Sequence, residues 1–338
     1  MADLTDGHGP TPSPHQAGPA AQPGAAQVRT GQSRGRAAEA DVPDGLVVVD
    51  KPTGWTSHDV VARARRVLGV RRIGHAGTLD PMATGVLLLG VGRGTRLLGR
   101  LALTDKVYEA TIRLGRTTTT DDAEGEPVAD HPVDVDAQRL ASAMAALTGE
   151  IDQVPSSVSA VKIAGVRAYA RVRAGEQVEL APRRVRISRF DLLARRDAAT
   201  GQPDEAGTDL DVIVACSSGT YVRALARDLG AALGCGAHLT ALRRTEVGPF
   251  GLADAVTVDE LAEQGAKAVV PLASVVAAAF PRRVVTEEQA RDVTYGRRLP
   301  VSGDAGPYGV FAPDGSLLAL FEELEGTARP VVVFAPAG

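Results

Sequence analysis

The residues best able to do chemistry are concentrated in one stretch, Gly74-His75-Ala76-Gly77-Thr78-Leu79-Asp80-Pro81-Met82-Ala83-Thr84-Gly85-Val86-Leu87. Asp80 is fixed between Leu79 and Pro81. The proline biases it towards extended backbone, and glycines at 74, 77 and 85 permit close approach of neighbouring chain. A carboxylate with so little local freedom suits nucleophilic or acid-base work. On spacing alone the plainer account is an Asp that turns the chain ahead of the apolar run 86–89, and both accounts stand at this level. Other chemistries fail on their own requirements. The segment Gly90-Val91-Gly92-Arg93-Gly94-Thr95-Arg96 lacks the Lys-Ser or Lys-Thr of a phosphate-binding loop, and Thr95 stands where a dinucleotide fingerprint needs Gly or Ala. The six histidines, at 8, 15, 58, 75, 131 and 238, show no zinc-ligand spacing with Cys or acid, so no metal is expected. Ser217-Ser218-Gly219-Thr220 lacks the Gly-x-Ser-x-Gly elbow of acyl transfer.

Positioning such an Asp requires a framework. Residues 46–50 read as a short β-branched strand. Thr56-Ser57-His58-Asp59 has capping-box form, and Val60, Val61, Ala64, Val67 and Leu68 follow at helical spacing, with Arg63, Arg65 and Arg66 off the apolar face. Residues 107–114 and 209–216 alternate as half-buried strands, whereas 135–147 and 221–233 carry the helical period. Segments 117–136 and 195–209, acidic and containing Gly and Asp, read as surface loops or a long hairpin tip. Beyond a break at 277–281, residues 282–299 and short strands at 309–312, 317–321 and 330–334 predict a small β-rich module. The mixture predicts an α+β fold.

At 338 residues the chain is long enough for about two domains. Residues 1–42 are dominated by Gly, Pro, Ala, Gln and Ser, cannot offset their ordering entropy by burial, and are expected to form a disordered tail. The longest apolar runs fall short of the roughly 18–20 residues of a membrane span. Cys216 and Cys235 cannot build a disulfide framework and no secretory signal is apparent, so a reducing cytoplasm is expected. The formal net charge of −4 conceals two basic islands. Residues 45–100 carry nine Lys/Arg against three Asp, and residues 160–190 carry eight against two Glu. Such islands in an acidic chain suit a face that meets a polyanion.

The stretch around Asp80 resembles the catalytic loop of the TruB family, the tRNA pseudouridine-55 synthases. Four further motifs resemble that family in the same order. They are Asp50-Lys51-Pro52-Thr53-Gly54-Trp55-Thr56-Ser57; Lys106-Val107-Tyr108-Glu109-Ala110 with Leu114-Gly115-Arg116 and Thr119-Thr120-Asp121; Cys216-Ser217-Ser218-Gly219-Thr220-Tyr221-Val222-Arg223; and the run from Gly234 to Arg244. Together they cover about residues 46–250.

The resemblance implies the pseudouridine synthase fold, a mixed and mainly antiparallel sheet flanked by helices. It places a catalytic domain over 43–280 and, more loosely, a PUA-like RNA-binding domain over 281–338. It assigns Asp80 as nucleophile and Arg223 as its partner. Tyr108 becomes the ring that stacks on the target uracil and a candidate for proton transfer. Tyr221 and Leu242 become walls of the uracil pocket, and His75 fills the space left by a flipped nucleotide. Lys51 is expected in a structural role near the cleft. The basic stretch 160–190 resembles the family's RNA-gripping insertion, and Arg71, Arg72, Arg171, Arg183 and Arg184 are the candidates for the RNA backbone. The implied enzyme needs no cofactor, acts on the T stem-loop of tRNA, and is expected to be monomeric. A synthase for another RNA and a tRNA-binding folding helper with incidental catalysis are the alternatives.

Overall fold

The computed structural model describes residues 42–156, 162–163, 166–167, 180–197, 207–304 and 306–335. The expected tail up to residue 41, Arg171 and part of the basic stretch 160–190 lie outside the described residues. The chain enters as β1 (Gly45–Lys51), passes through α1 (Ser57–Leu68) to β2 (Ile73–Ala76) and β3 (Thr84–Val91), and continues past a 3-10 turn (Gly92–Leu97) and α2 (Leu98–Leu101) into β4 (Lys106–Leu114). The hairpin β5 (Arg116–Thr118) and β6 (Pro127–Asp130), helix α3 (Ala137–Ala146), β7 (Gly149–Gln153) and the short pair β8 (Lys162–Ile163) and β9 (Val166–Arg167) follow. Then come β10 (Arg183–Asp197), β11 (Thr208–Cys216), α4 (Val222–Leu233), β12 (Ala237–Val247), β13 (Phe250–Gly251), β14 (Val256–Thr257), α5 (Val258–Gln264), β15 (Val270–Pro271) and α6 (Leu272–Ala279). The chain closes with β16 (Arg282–Val284), α7 (Glu287–Thr294), β17 (Tyr308–Phe311), β18 (Leu317–Leu324) and β19 (Thr327–Val333).

The main sheet runs β14-β1-β3-β12-β4-β11-β10-β7, with β2, β13 and β15 attached at its side. Only β1/β14 and β3/β12 pair parallel, so the sheet is mixed and mainly antiparallel, as expected. The runs 46–49 of β1 and 86–89 of β3 are wholly apolar because both of their faces are covered. Val47, Val49, Leu87 and Leu89 pack under α1, while Leu46, Val48, Val86 and Leu88 face α6 and the C-terminal strands. Helix α1 starts in a complete capping box between Thr56 and Asp59 and stops at Gly69, which adopts the left-handed conformation at φ +67°. Burying each of its large apolar residues, Val60, Val61 and Leu68, contributes roughly 1.5–3 kcal/mol. The apolar faces of α3 and α4 cover the other half of the sheet, against Tyr108, Ile112, Val212 and Val214.

Both segments expected as surface loops or a hairpin tip carry antiparallel strand pairs. Strand β10 extends to Asp197 and β11 begins at Thr208, so most of the described part of 195–209 is sheet, with Arg113 on Asp209 and Arg196 on Asp211 joining neighbouring strands. Cross-strand ion pairs let a charged sequence remain extended. In 117–136 the β5/β6 hairpin does form, but its connecting turn folds inwards and Asp122 is only 1% exposed.

The C-terminal segment builds a four-stranded sheet in the order β16-β17-β18-β19. Phe311, Leu320 and Phe334 share a core with Leu46, Val48 and Leu88. Three arginines of the first basic island serve this contact. Arg93 bonds Asp44 and the Phe334 carbonyl, Arg96 donates to the Val333 carbonyl at 3.0 Å, and Arg100 pairs with Glu322 at 2.9 Å. Much of that island is therefore internal mortar, a use that charge counting cannot distinguish from a binding face.

Candidate active site

The Asp80 loop is held from three sides. Lys51, fully buried, donates to the carbonyls of Pro52, Trp55 and Pro81 at 2.9, 2.6 and 3.2 Å, and Gly54 N–H also reaches the Pro81 carbonyl at 2.8 Å. Ser57, at the start of α1, donates to the Leu79 carbonyl at 3.1 Å, and its oxygen accepts from the Leu79 N–H at 2.9 Å. From β12, Arg244 is 1% exposed and donates to the carbonyls of Gly77 at 2.8 Å and Val86 at 2.7 Å, tying both ends of the loop together. Gly85 makes this possible. At φ +98°, a Cβ there would lie 2.1 Å from the Arg244 carbonyl oxygen, so any side chain would push β3 and β12 apart.

These contacts present Asp80 to Arg223. Arg223 Nη2 lies 3.1 Å from the Asp80 carboxylate, while its Nη1 lies 3.0 Å from Asp122 and donates to the Thr120 carbonyl at 3.1 Å. The two carboxylates differ in access: the side chain of Asp80 is 40% exposed and that of Asp122 is 2% exposed. Asp122 holds the guanidinium from behind and Asp80 faces outwards. A cation shared this way keeps the outer carboxylate oriented.

A pocket of 270 Å³ opens beside this pair, and its lining includes Asp80, Tyr108, Tyr221, Arg223, Leu242 and Lys106. Five of the residues singled out from sequence thus converge. Tyr108 projects from the covered face of β4, and burial pushes its phenol above the usual range, with the nearby Arg244 guanidinium acting in the opposite sense. It is a neutral hydroxyl at physiological pH. Lys106 is pushed down to about 8, by burial first and then by Arg244. Tyr221 sits on the loop entering α4 and is gripped at its backbone by Gln153, which accepts from its N–H at 2.8 Å and donates to its carbonyl at 3.1 Å. A pocket lined by an open carboxylate, a phenol, a fixed cation and the apolar Leu242 suits covalent or acid-base work on a bound ring.

The other expected residues lie elsewhere. His75 is on β2, outside the pocket lining, with its ring edge-to-face on His58 at 5.2 Å. Arg72 donates to Thr95 at 2.9 Å, and Arg184 is 3.5 Å from Glu150. Arg71 and Arg183 are exposed. Asp122, Gln153 and Arg244 carried no sequence-based role. Asp122 directly follows the Thr119-Thr120-Asp121 motif and Arg244 ends the Gly234 to Arg244 run, so both were within reach of those motifs; Gln153 had no signal.

The chain is similar to known proteins over most of its length. Residues 65–222 match the family model described as TruB family pseudouridylate synthase (N terminal domain), and 223–276 match the tRNA pseudouridylate synthase B C-terminal domain. Residues 280–335 match tRNA Pseudouridine synthase II, C terminal. A curated relative from Thermobifida fusca, named tRNA pseudouridine synthase B, is 60% identical over 86% of this chain and 99% of its own. One of the same name from Nocardia farcinica is 58% identical over 87% and 94%. Among solved structures, a Cbf5-Nop10-Gar1 complex contains a chain that is 27% identical with a TM-score of 0.66, covering 88% of this chain and 86% of that one.

Proposed function

The chain belongs to the TruB family of pseudouridylate synthases, and from that premise we propose that it isomerises uridine 55 in the T loop of tRNA to pseudouridine. The reaction breaks the N1–C1′ bond, forms a C5–C1′ bond and moves one proton from C5 to N1, with no net redox change. The target base leaves its stack to reach the pocket. Asp80 is the nucleophile, and Arg223 keeps it aimed. Tyr108 stacks on the uracil and offers its neutral hydroxyl, Tyr221 and Leu242 wall the ring, and His75 occupies the gap in the RNA stack. The observation that carries this reading is the outward-facing Asp80 carboxylate held by Arg223 at the mouth of that pocket.

No helix among the described residues is long and apolar enough to cross a membrane. Both cysteines are buried free thiols, which supports a reducing, cytoplasmic setting. We take the working form to be a monomer, with the catalytic unit over 43–280 and an RNA-binding unit over 281–338. The test is pseudouridine mapping on unmodified tRNA after treatment with wild type and with Asp80→Asn, with filter retention of both. Product at position 55 from wild type alone, with binding kept by the variant, supports the reaction and the nucleophile. Binding without product from wild type leaves a folding helper, product at another site a different RNA substrate, and product from both variants removes Asp80 from the chemistry.

A further inference from the structure

The first basic island loses most of its cations to the protein itself. Lys51 holds the Asp80 loop, Arg65 donates to the Ile73 carbonyl at 2.6 Å, Arg72 donates to Thr95, and Arg93, Arg96 and Arg100 hold the C-terminal strands. Arg63 and Arg66, on the outer face of α1, make no hydrogen bond or ion pair among the described residues. Together with Gly54, Trp55, Asp59 and Ala62 they line an open cleft of 390 Å³. The carboxylate of Asp59 is turned to the start of the helix, where it accepts from the Thr56 N–H at 2.9 Å and the Thr56 hydroxyl at 2.6 Å. Trp55, the only tryptophan in the chain, is half-buried against the core under α1 while also lining the cleft.

The cleft adjoins the catalytic loop at two points. Its Gly54 donates to the carbonyl of Pro81, the residue after Asp80. At the start of α1, His58 meets His75 edge-to-face.

We propose that this cleft is a second RNA subsite, taking a nucleotide near the flipped uridine and not the uridine itself. Arg63 and Arg66 hold its phosphate and the Trp55 ring meets its base or sugar. The inference rests on the reading of the chain as an RNA-modifying enzyme. An indole beside two unpaired guanidinium groups is the combination that recognises single-stranded or splayed nucleotides, stacking one group while neutralising the phosphate. Its place at the edge of the catalytic loop gives the strand a fixed direction away from the pocket.

Because Trp55 is the only tryptophan, intrinsic fluorescence reads this cleft directly. An unmodified T stem-loop RNA is titrated into wild type, and filter retention is measured from 50 to 200 mM salt for wild type and for Arg63→Ala/Arg66→Ala. Neither arginine makes a hydrogen bond or ion pair among the described residues, and thermal unfolding of the double variant checks that it stays folded. The expected result is a saturable fluorescence change with the same midpoint as retention. The double variant should bind about tenfold or more weakly, with a slope of log K against log salt shallower by about 0.7–0.9, the loss of one phosphate contact. An unchanged slope overturns the subsite whatever the fluorescence does. Pseudouridine mapping on the same wild-type samples separates the two ideas: product with an unchanged slope sinks the cleft alone, and absence of product sinks the reaction while the slope still reports on the cleft.

Discussion

Asp122 lies 3.0 Å from Nη1 of Arg223 with only 2% of its side chain exposed, so the cation that faces the open carboxylate of Asp80 is anchored from the protein interior. One guanidinium thereby links a sealed acid to an accessible one. The sealed acid fixes the geometry and the accessible one is left to meet substrate.

Asp122→Asn should therefore do two things. Removing one partner of a buried ion pair costs about 3 kcal/mol, the low end of the usual range because Asp80 and the Thr120 carbonyl still hold Arg223. The single-turnover rate should fall at least tenfold while RNA affinity stays within about threefold, because the loss is of aim and not of binding surface. Thermal unfolding and rapid-quench measurements check both. A folded variant with the wild-type rate takes Asp122 out of the site.

Tyr108→Phe keeps the ring on the covered face of β4 and removes only the hydroxyl. If that hydroxyl moves a proton, the single-turnover rate drops about 10²-fold or more. Retention on filters should change little, since the stacking face survives. An unaltered rate would confine Tyr108 to stacking.

Burial pushes Lys51 and Lys106 down to about 8, whereas an unfolded lysine titrates near 10.4. Between these values the unfolded chain holds more protons than the native one, so this contribution to stability rises with pH. Cys216, pushed up to about 11 by burial, works in the opposite direction once the unfolded thiol ionises near 9. At pH 8.5 the lysines prevail, and unfolding should take up about one proton net. Calorimetry in two buffers of different ionisation enthalpy measures this, and net proton release would contradict the assignment.

Phe334, 4% exposed, lies in the core that also contains Leu46 and Val48. Phe334→Ala should cost about 3–5 kcal/mol. The wild-type heat-capacity trace should show one transition, because β1 and the C-terminal strands lose the same core together. Two separated transitions would mean that the shared core does not couple them.

How much was legible depends on the range of each signal. The capping box at Thr56 and Asp59, the alternation of β4 and β11 and the apolar stripe of α4 are set by neighbours within a few residues, and the structure has them in place. Segment 195–209 is legible as a loop or hairpin tip, but not how far its strands pair, since its charges look solvated until Asp209 meets Arg113 and Arg196 meets Asp211 on adjacent strands. The basic island at 45–100 was legible as charge but not as use, since Arg93, Arg96 and Arg100 meet partners contributed by the C-terminal segment.

By itself the sequence determined the α+β class, the family and the motif residues Asp80, Tyr108, Tyr221 and Arg223, all carried by local patterns of residue type. Tertiary structure alone decided that Asp122, 101 residues before Arg223, would be its inner anchor, that Arg244 would tie the two ends of the Asp80 loop, and that Arg63 and Arg66 would be left facing solvent beside Trp55. The physical reason is that a charged side chain's role is set by which partner desolvates or neutralises it, and here those partners are brought together by sheet order and not by spacing along the chain.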